Sequence, residues 1–245
     1  MIVSLTPTAD WIAQCFEHDG HHEHVSLYLL RQDDATILVD SGSFYHRDEI
    51  AADVTRETDG DGPDAIILSH SDYPHAANVA QLGGADVELV ASSGSPAQQG
   101  LPETARKCTI GGSLDVKGRT FSFIDPPLAD RSHTTWIFDH GDGILFTADG
   151  FGNYHHPEAC AYLSGDYANA TPFDAIYQFH RDNLVWLRYV DPSKVERALD
   201  AIFAQFDVQL IAPIHGNPIE GDDIDTYRAR LKESMVQISS EYSIA

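Results

Sequence analysis

LSHSDYPHAAN, residues 68–78, sets two imidazoles and a carboxylate, His70, Asp72 and His75, within six positions, directly behind the apolar run AII at 65–67. An unbroken apolar run of that length reads as a buried strand. A strand that ends in a loop can turn nearby donors to one point, which is what a bound metal requires of its ligands. Taken alone, three donors in one turn are also compatible with a polar loop.

Three later stretches carry one more donor each beside an apolar β-like run: His133 in RSHTTWIF (131–138), Asp149 in ILFTADGFG (144–152) and His215 in LIAPIHGNP (210–218). A sandwich presents ligands along one edge in this way, with strand ends delivering side chains into loops. The remaining pattern supports such an architecture. WIAQCF (11–16), VSLYLLRQ (25–32) and TILVDSG (36–42) read as strands with a turn at Asp33 and Asp34. HRDEIAADVTRE (46–57) suits a helix, as does the stretch from about Ala76 to Leu82, closed by Gly83 and Gly84. A second β series follows: VELVAS (87–92), the hairpin-like 108–127, and 134–150 with a turn at HGDG. Segments 171–190 and 191–206 read as helices, the latter with Asp191 as N-cap and Pro192 at the first helical position. VQLIAPIHG (208–216) is a strand, and a last helix places Ile224, Tyr227 and Leu231 on one face. The expected fold is α/β, a four-layer αββα sandwich forming a single domain over residues 1–245.

The order and spacing of these donors resemble the metallo-β-lactamase superfamily, whose first motif is H-x-[HED]-x-D-H, followed by a lone His, a metal-bridging Asp and a final His. The resemblance extends over nearly the whole chain and includes ILVDSG (37–42). Within the superfamily, ILFTADGFG and IAPIHGNPI look most like the core of the flavodiiron proteins and the stand-alone oxygen-binding diiron proteins. There the second motif position is a carboxylate, as Asp72 is here. Two metal ions are implied. The first takes His70, Asp72 and His133; the second takes His75 and His215, with Asp149 bridging. A carboxylate-rich nitrogen and oxygen set favours iron, with zinc or manganese as alternatives. The resemblance also implies a homodimer and an electron-donor protein, since no flavodoxin-like segment is read in the chain.

One position departs from the motif. Pro74 stands where the family has an Asp before its last His, and proline offers no side-chain donor. The second site is therefore expected to be weak or empty, or to recruit a neighbour such as His24 from EHDGHHEHVSLYLL (17–30). Tyr73 and His155 are further candidates for a ligand or pocket wall, and Asp40 is expected to support a ligand by hydrogen bonding. In hydrolytic members the missing Asp orients the attacking hydroxide, so its loss favours a small-molecule role in which O2 or NO is bound, sensed or reduced. The alternative is a metal-dependent hydrolase of a lactone, ester, thioester or β-lactam.

Composition narrows the partners. Thirty-eight acidic against 15 basic side chains give a net charge of −23, which repels phosphate backbones and anionic bilayers. No nucleic-acid or membrane partner is expected. Three cysteines without a C-x-x-C pair, and no apolar leader or span, read as a reducing, cytoplasmic setting.

Overall fold

The structure, a computed structural model, describes residues 1–18, 20–84, 86–92, 101–102 and 104–241. It is mixed α/β, and two compact units make it up: Met1–Gln14, Val25–Asp125 and Arg131–Asp142 in the first, Cys15–His24, Pro126–Asp130 and Gly143–Ala245 in the second.

In the first unit, β1 (Ile2–Thr6), β2 (Ala9–His18), β3 (His21–Gln32), β4 (Ala35–Val39), β5 (Ala65–Ile67), β6 (Glu88–Ser92) and β7 (Arg106–Cys108) are hydrogen-bonded in sequence order. The far arms of β2 and β3 belong to the second unit. β3 and β4 form an antiparallel pair, whereas β4 to β7 are mutually parallel. Parallel neighbours need a crossover, and α1 (Arg47–Glu57) supplies the one from β4 to β5. Its Ile50 and Val54 pack with Leu27, Leu29, Leu38, Ile66 and Leu68. This explains why residues 65–70 are all buried and why their sequence does not alternate. Three further strands, β8 (Ser113–Val116), β9 (Arg119–Ile124) and β10 (Trp136–Asp139), form an antiparallel meander.

The single helix expected from Ala76 to Leu82 is two one-turn helices, α2 (Tyr73–Ala76) and α3 (Val79–Leu82). The break falls at Asn78, whose side-chain amide donates to the carbonyls of Ser41 (2.8 Å), Gly42 (3.2 Å) and Ser43 (3.1 Å). Pro74 lies in the first turn of α2, where its missing N–H costs nothing.

The second unit pairs β11 (Ile144–Phe146) parallel with β12 (Leu210–Ala212), and β12 antiparallel with β13 (Ile219–Glu220). Its long helices are α4 (Phe173–Asn183), α5 (Pro192–Gln205) and α6 (Gly221–Glu241). The helix expected over 171–190 stops at Asn183, whose side chain takes the Phe179 carbonyl at 3.0 Å, and a 3-10 turn follows over Val185–Tyr189. Asp191 caps α5 by accepting from the Ser193 N–H at 3.0 Å. Among the described residues no helix is long and apolar enough to cross a membrane.

What fixes the loop after β11 is α6. Ile224, Tyr227 and Leu231 are buried along one face, and the Tyr227 hydroxyl shares its one proton between the carbonyls of Phe151 (2.7 Å) and Gly152 (2.8 Å). Thr147 and Gly150 close a tight turn, N–H to carbonyl at 2.8 Å and hydroxyl to carbonyl at 2.7 Å. Gly152 then passes so close to α4 and the 215–217 loop that a Cβ would run into the Phe179 ring and lie 2.6 Å from the His215 carbonyl oxygen. Gly152→Ala is expected to lower stability by about 1–3 kcal/mol through overpacking. Gly84→Ala, where nothing lies within 4 Å, should stay within about 0.5 kcal/mol. Equal shifts of the urea midpoint in the two variants would contradict the packing described.

Candidate metal centre

The first unit gathers His70, Asp72 and His75 so that one donor atom from each lies within 4.8 Å of the others. His70 follows β5, Asp72 precedes α2, and His75 sits inside it. His70 Nε2 is 3.0 Å from Asp72 Oδ1, and the two imidazole rings are 3.7 Å apart at 42°. The other carboxylate oxygen of Asp72 is held by Arg131 Nε at 3.3 Å.

A fully buried carboxylate positions this group. Asp40 leaves β4 with a φ of 60°, a left-handed conformation that aspartate tolerates better than most residues. Its Oδ1 accepts from the Ser69 N–H (2.8 Å), and its Oδ2 accepts from the Ser69 hydroxyl (2.7 Å) and lies 3.0 Å from His75 Nδ1. The His75 carbonyl is in turn bonded by the N–H of Ser41 at 2.6 Å and its hydroxyl at 2.9 Å. With Nδ1 committed to Asp40, Nε2 is the nitrogen a metal would take. His133, half-buried in the turn ahead of β10, is in none of the donor clusters found among the described residues. Tyr73 is about half exposed, beside Tyr45 and Phe44.

The second unit holds Asp149 and His215. Asp149 stands between Ala148 and Phe151, both at positive φ (49° and 60°), in the turn that Tyr227 secures. His215 Nε2 is 3.1 Å from Asp149 Oδ1, while His215 Nδ1 lies 2.9 Å from Glu23 Oε1 and 2.9 Å from the His24 carbonyl oxygen. Burial disfavours the imidazolium, yet Asp149 and Glu23 hold the pKa of His215 well above its usual value. Sequence reading missed Glu23, whose only signal was its place within a histidine-rich run.

His24 is in none of the donor clusters found among the described residues. Its Nε2 is bonded to the Cys160 carbonyl at 2.8 Å, and its ring stacks on His155 with centroids 4.0 Å apart. Burial, with nearby His155, lowers its pKa well below the usual value. His155 meets Cys15, His22 and Cys160 in a separate group. There burial, with His22 and His156 nearby, lowers its pKa to about 4, and burial beside Cys160 pushes Cys15 up to about 12.

The donor sets fit a metal of the kind the motif implies. Imidazole and carboxylate oxygen are hard-to-borderline ligands, and the anchored nitrogens of His75 and His215 are the arrangement found where histidine binds metal. The family model described as metallo-beta-lactamase superfamily matches residues 22–159. No curated protein matches the chain by sequence. Among solved structures, a mutant flavo di-iron protein from Thermotoga maritima is 16% identical with a TM-score of 0.79, over 95% of this chain and 60% of that one. Rubredoxin oxygen:oxidoreductase from Desulfovibrio gigas is 16% identical with a TM-score of 0.74, over 97% of this chain and 62% of that one. A diflavin flavoprotein fragment from Nostoc sp. is 15% identical with a TM-score of 0.73, over 99% of this chain and 98% of the fragment. At these identities the likeness is one of fold, and the chain spans about 60% of the length of the first two.

Two outcomes are expected. Asp40→Asn, which keeps the shape but removes the charge facing His75, should weaken metal affinity roughly 10–100-fold in a chelator competition; unchanged affinity would show that His75 needs no such support. A metal taken at His215 Nε2 would have to displace a proton, so its apparent affinity should fall as pH drops below that residue's raised pKa and level off above it. Glu23→Gln removes one of the carboxylates that raise this pKa, so the same curve should move to lower pH. A curve that stays in place would sever the link to Glu23.

Proposed function

The chain belongs to the metallo-β-lactamase superfamily, and on that premise we propose that it is a flavodiiron-type metal protein that binds, senses or reduces a diatomic ligand such as O2 or NO. The ligand set proposed is the family's: His70, Asp72 and, on its place in the motif rather than on any donor cluster, His133 for one ion, His75 and His215 for the other, and Asp149 between them. Iron is the proposed metal, with zinc or manganese as alternatives, and the ion lacking a ligand at Pro74 is the more weakly held.

The observation that carries this reading is the pairing of a carboxylate at Asp72 with a proline at position 74. Asp72 adds oxygen to a histidine set, which suits iron better than an all-imidazole group does. Pro74 leaves no carboxylate to orient a water for attack on a carbonyl, which counts against hydrolysis. Iron changes oxidation state and so supplies the electron transfer that a diatomic ligand requires.

The chain's own residues set the terms of binding. Asp40 accepts the Nδ1 proton of His75 and thereby raises the basicity of Nε2. Arg131 engages one oxygen of Asp72 and leaves the other beside His70, favouring one-oxygen ligation. That restraint is modest, since Arg131 is largely exposed. Electrons for any reduction come from a partner protein on this reading, and the family's pairing into homodimers is proposed for this chain as well.

Protein purified without chelators is expected to carry iron, and to show near-ultraviolet charge-transfer absorption that changes on reduction and returns in air. His70→Ala, Asp149→Ala and His215→Ala should each lower the metal content. Zinc as the sole metal, together with lactone or thioester cleavage abolished by Asp149→Ala, would establish the hydrolase instead. Unchanged metal content in all three variants would dismiss the ligand set.

A further inference from the structure

Away from His70, Asp72 and His75, the second unit contains another donor cluster, built from two thiols and two imidazoles. Cys15 and His22 come from the facing arms of β2 and β3, and His155 and Cys160 from the loop after Asp149. Cys15 Sγ lies 3.2 Å from His22 Nδ1, 3.2 Å from His155 Nε2 and 3.1 Å from Cys160 Sγ. Cys160 Sγ lies 3.3 Å from His155 Nε2 and 3.7 Å from His22 Nδ1.

We propose that Cys15, His22, His155 and Cys160 are the ligands of a tetrahedral zinc ion that braces the β2–β3 hairpin against the 155–160 loop. Five of the six edges between the donors are those just given, and all run from 3.1 to 3.7 Å. A tetrahedral centre with zinc–sulfur bonds near 2.3 Å and zinc–nitrogen bonds near 2.0–2.1 Å spaces its ligand atoms by about 3.3–3.8 Å, the sulfur pair being the widest. An ion therefore needs the sulfur–nitrogen edges to shift by a few tenths of an ångström and the two sulfurs to part by about 0.7 Å. Hydrogen bonding is a poorer account of the cluster, because each thiol has one weak S–H to donate, and Cys15 alone has three neighbours at this range.

Charge and chemistry select the ion. Binding forms two metal–sulfur and two metal–nitrogen bonds and releases the two thiol protons to solvent. The dication and two thiolates then sum to zero, which suits a half-buried place. Two thiolates with two imidazoles match zinc, which adopts tetrahedral geometry and undergoes no redox change.

The backbone is already arranged for this. His22 and His155 face each other across an antiparallel bridge, with N–H to carbonyl distances of 3.1 and 3.0 Å. His24, two residues on, stacks on His155, bonds the Cys160 carbonyl through Nε2 and offers its own carbonyl to His215 Nδ1 at 2.9 Å. Zinc in this cluster would hold still the residue that orients His215. It is thus a brace for the neighbouring centre and takes no part in its chemistry.

The test uses the full chain, stripped of metal under reducing conditions and titrated with Co2+ and then Zn2+. Cobalt bound to thiolate gives a sulfur-to-metal absorption band that a nitrogen and oxygen site cannot give. This band should appear in the wild type and in His70→Ala, fall to half or less in Cys160→Ser, which keeps one thiolate, and be bleached by zinc. In the wild-type protein, about one equivalent of zinc should also slow thiol labelling of Cys15 and Cys160 at least tenfold, on the order expected for ligated thiolates. The proposal fails if no thiolate band forms and both thiols label at the metal-free rate. It fails equally if they close into a disulfide while zinc is present. Iron content is measured on each protein as purified, before stripping, so loss of the brace and loss of the proposed diiron reading are separable.

Discussion

The buried carboxylate of Asp40 is the restraint on which the first donor group depends. An imidazole can turn either nitrogen to a ligand, and only a hydrogen bond to one of them decides which. Asp40 makes that choice for His75 and, through both of its oxygens, also fixes Ser69 next to His70. In the second unit Glu23 and the His24 carbonyl do the same for His215. Each histidine thus has its outward nitrogen selected by oxygen acceptors, an arrangement that raises basicity and removes rotational freedom together.

Pro74 shows how a substitution can be neutral for the fold and consequential for chemistry. In the first turn of α2 a proline loses no hydrogen bond and is well placed to start the helix. The same position in the family motif carries a carboxylate. Local backbone preference is met, therefore, while a donor is removed from the side where the motif would put one.

Much of this was legible in the sequence, for physical reasons that also mark where legibility stops. The run at 65–67 and the donors after it could be read because a parallel strand buried on both faces has no polar positions, so its end is sharp. Asp191 and Pro192 announced α5 because capping is local. The split between α2 and α3 was not legible, since it follows from Asn78 reaching three carbonyls of a loop more than thirty residues away. The Cys15, His22, His155 and Cys160 group was hidden for the same reason: its two halves are separated by most of the chain and share no short spacing. Pairing of β3 with the later loop brings them together.

The close approach of Gly152 to Phe179 and to the His215 carbonyl bears on how far the neighbouring Asp149 can move. Asp149 sits three residues before a point where the backbone has no slack, and α6 grips the same stretch through Tyr227. The main chain that carries this carboxylate therefore has little room to shift. On the reading proposed for this chain, an ion held there would change valence with little movement of the polypeptide around it.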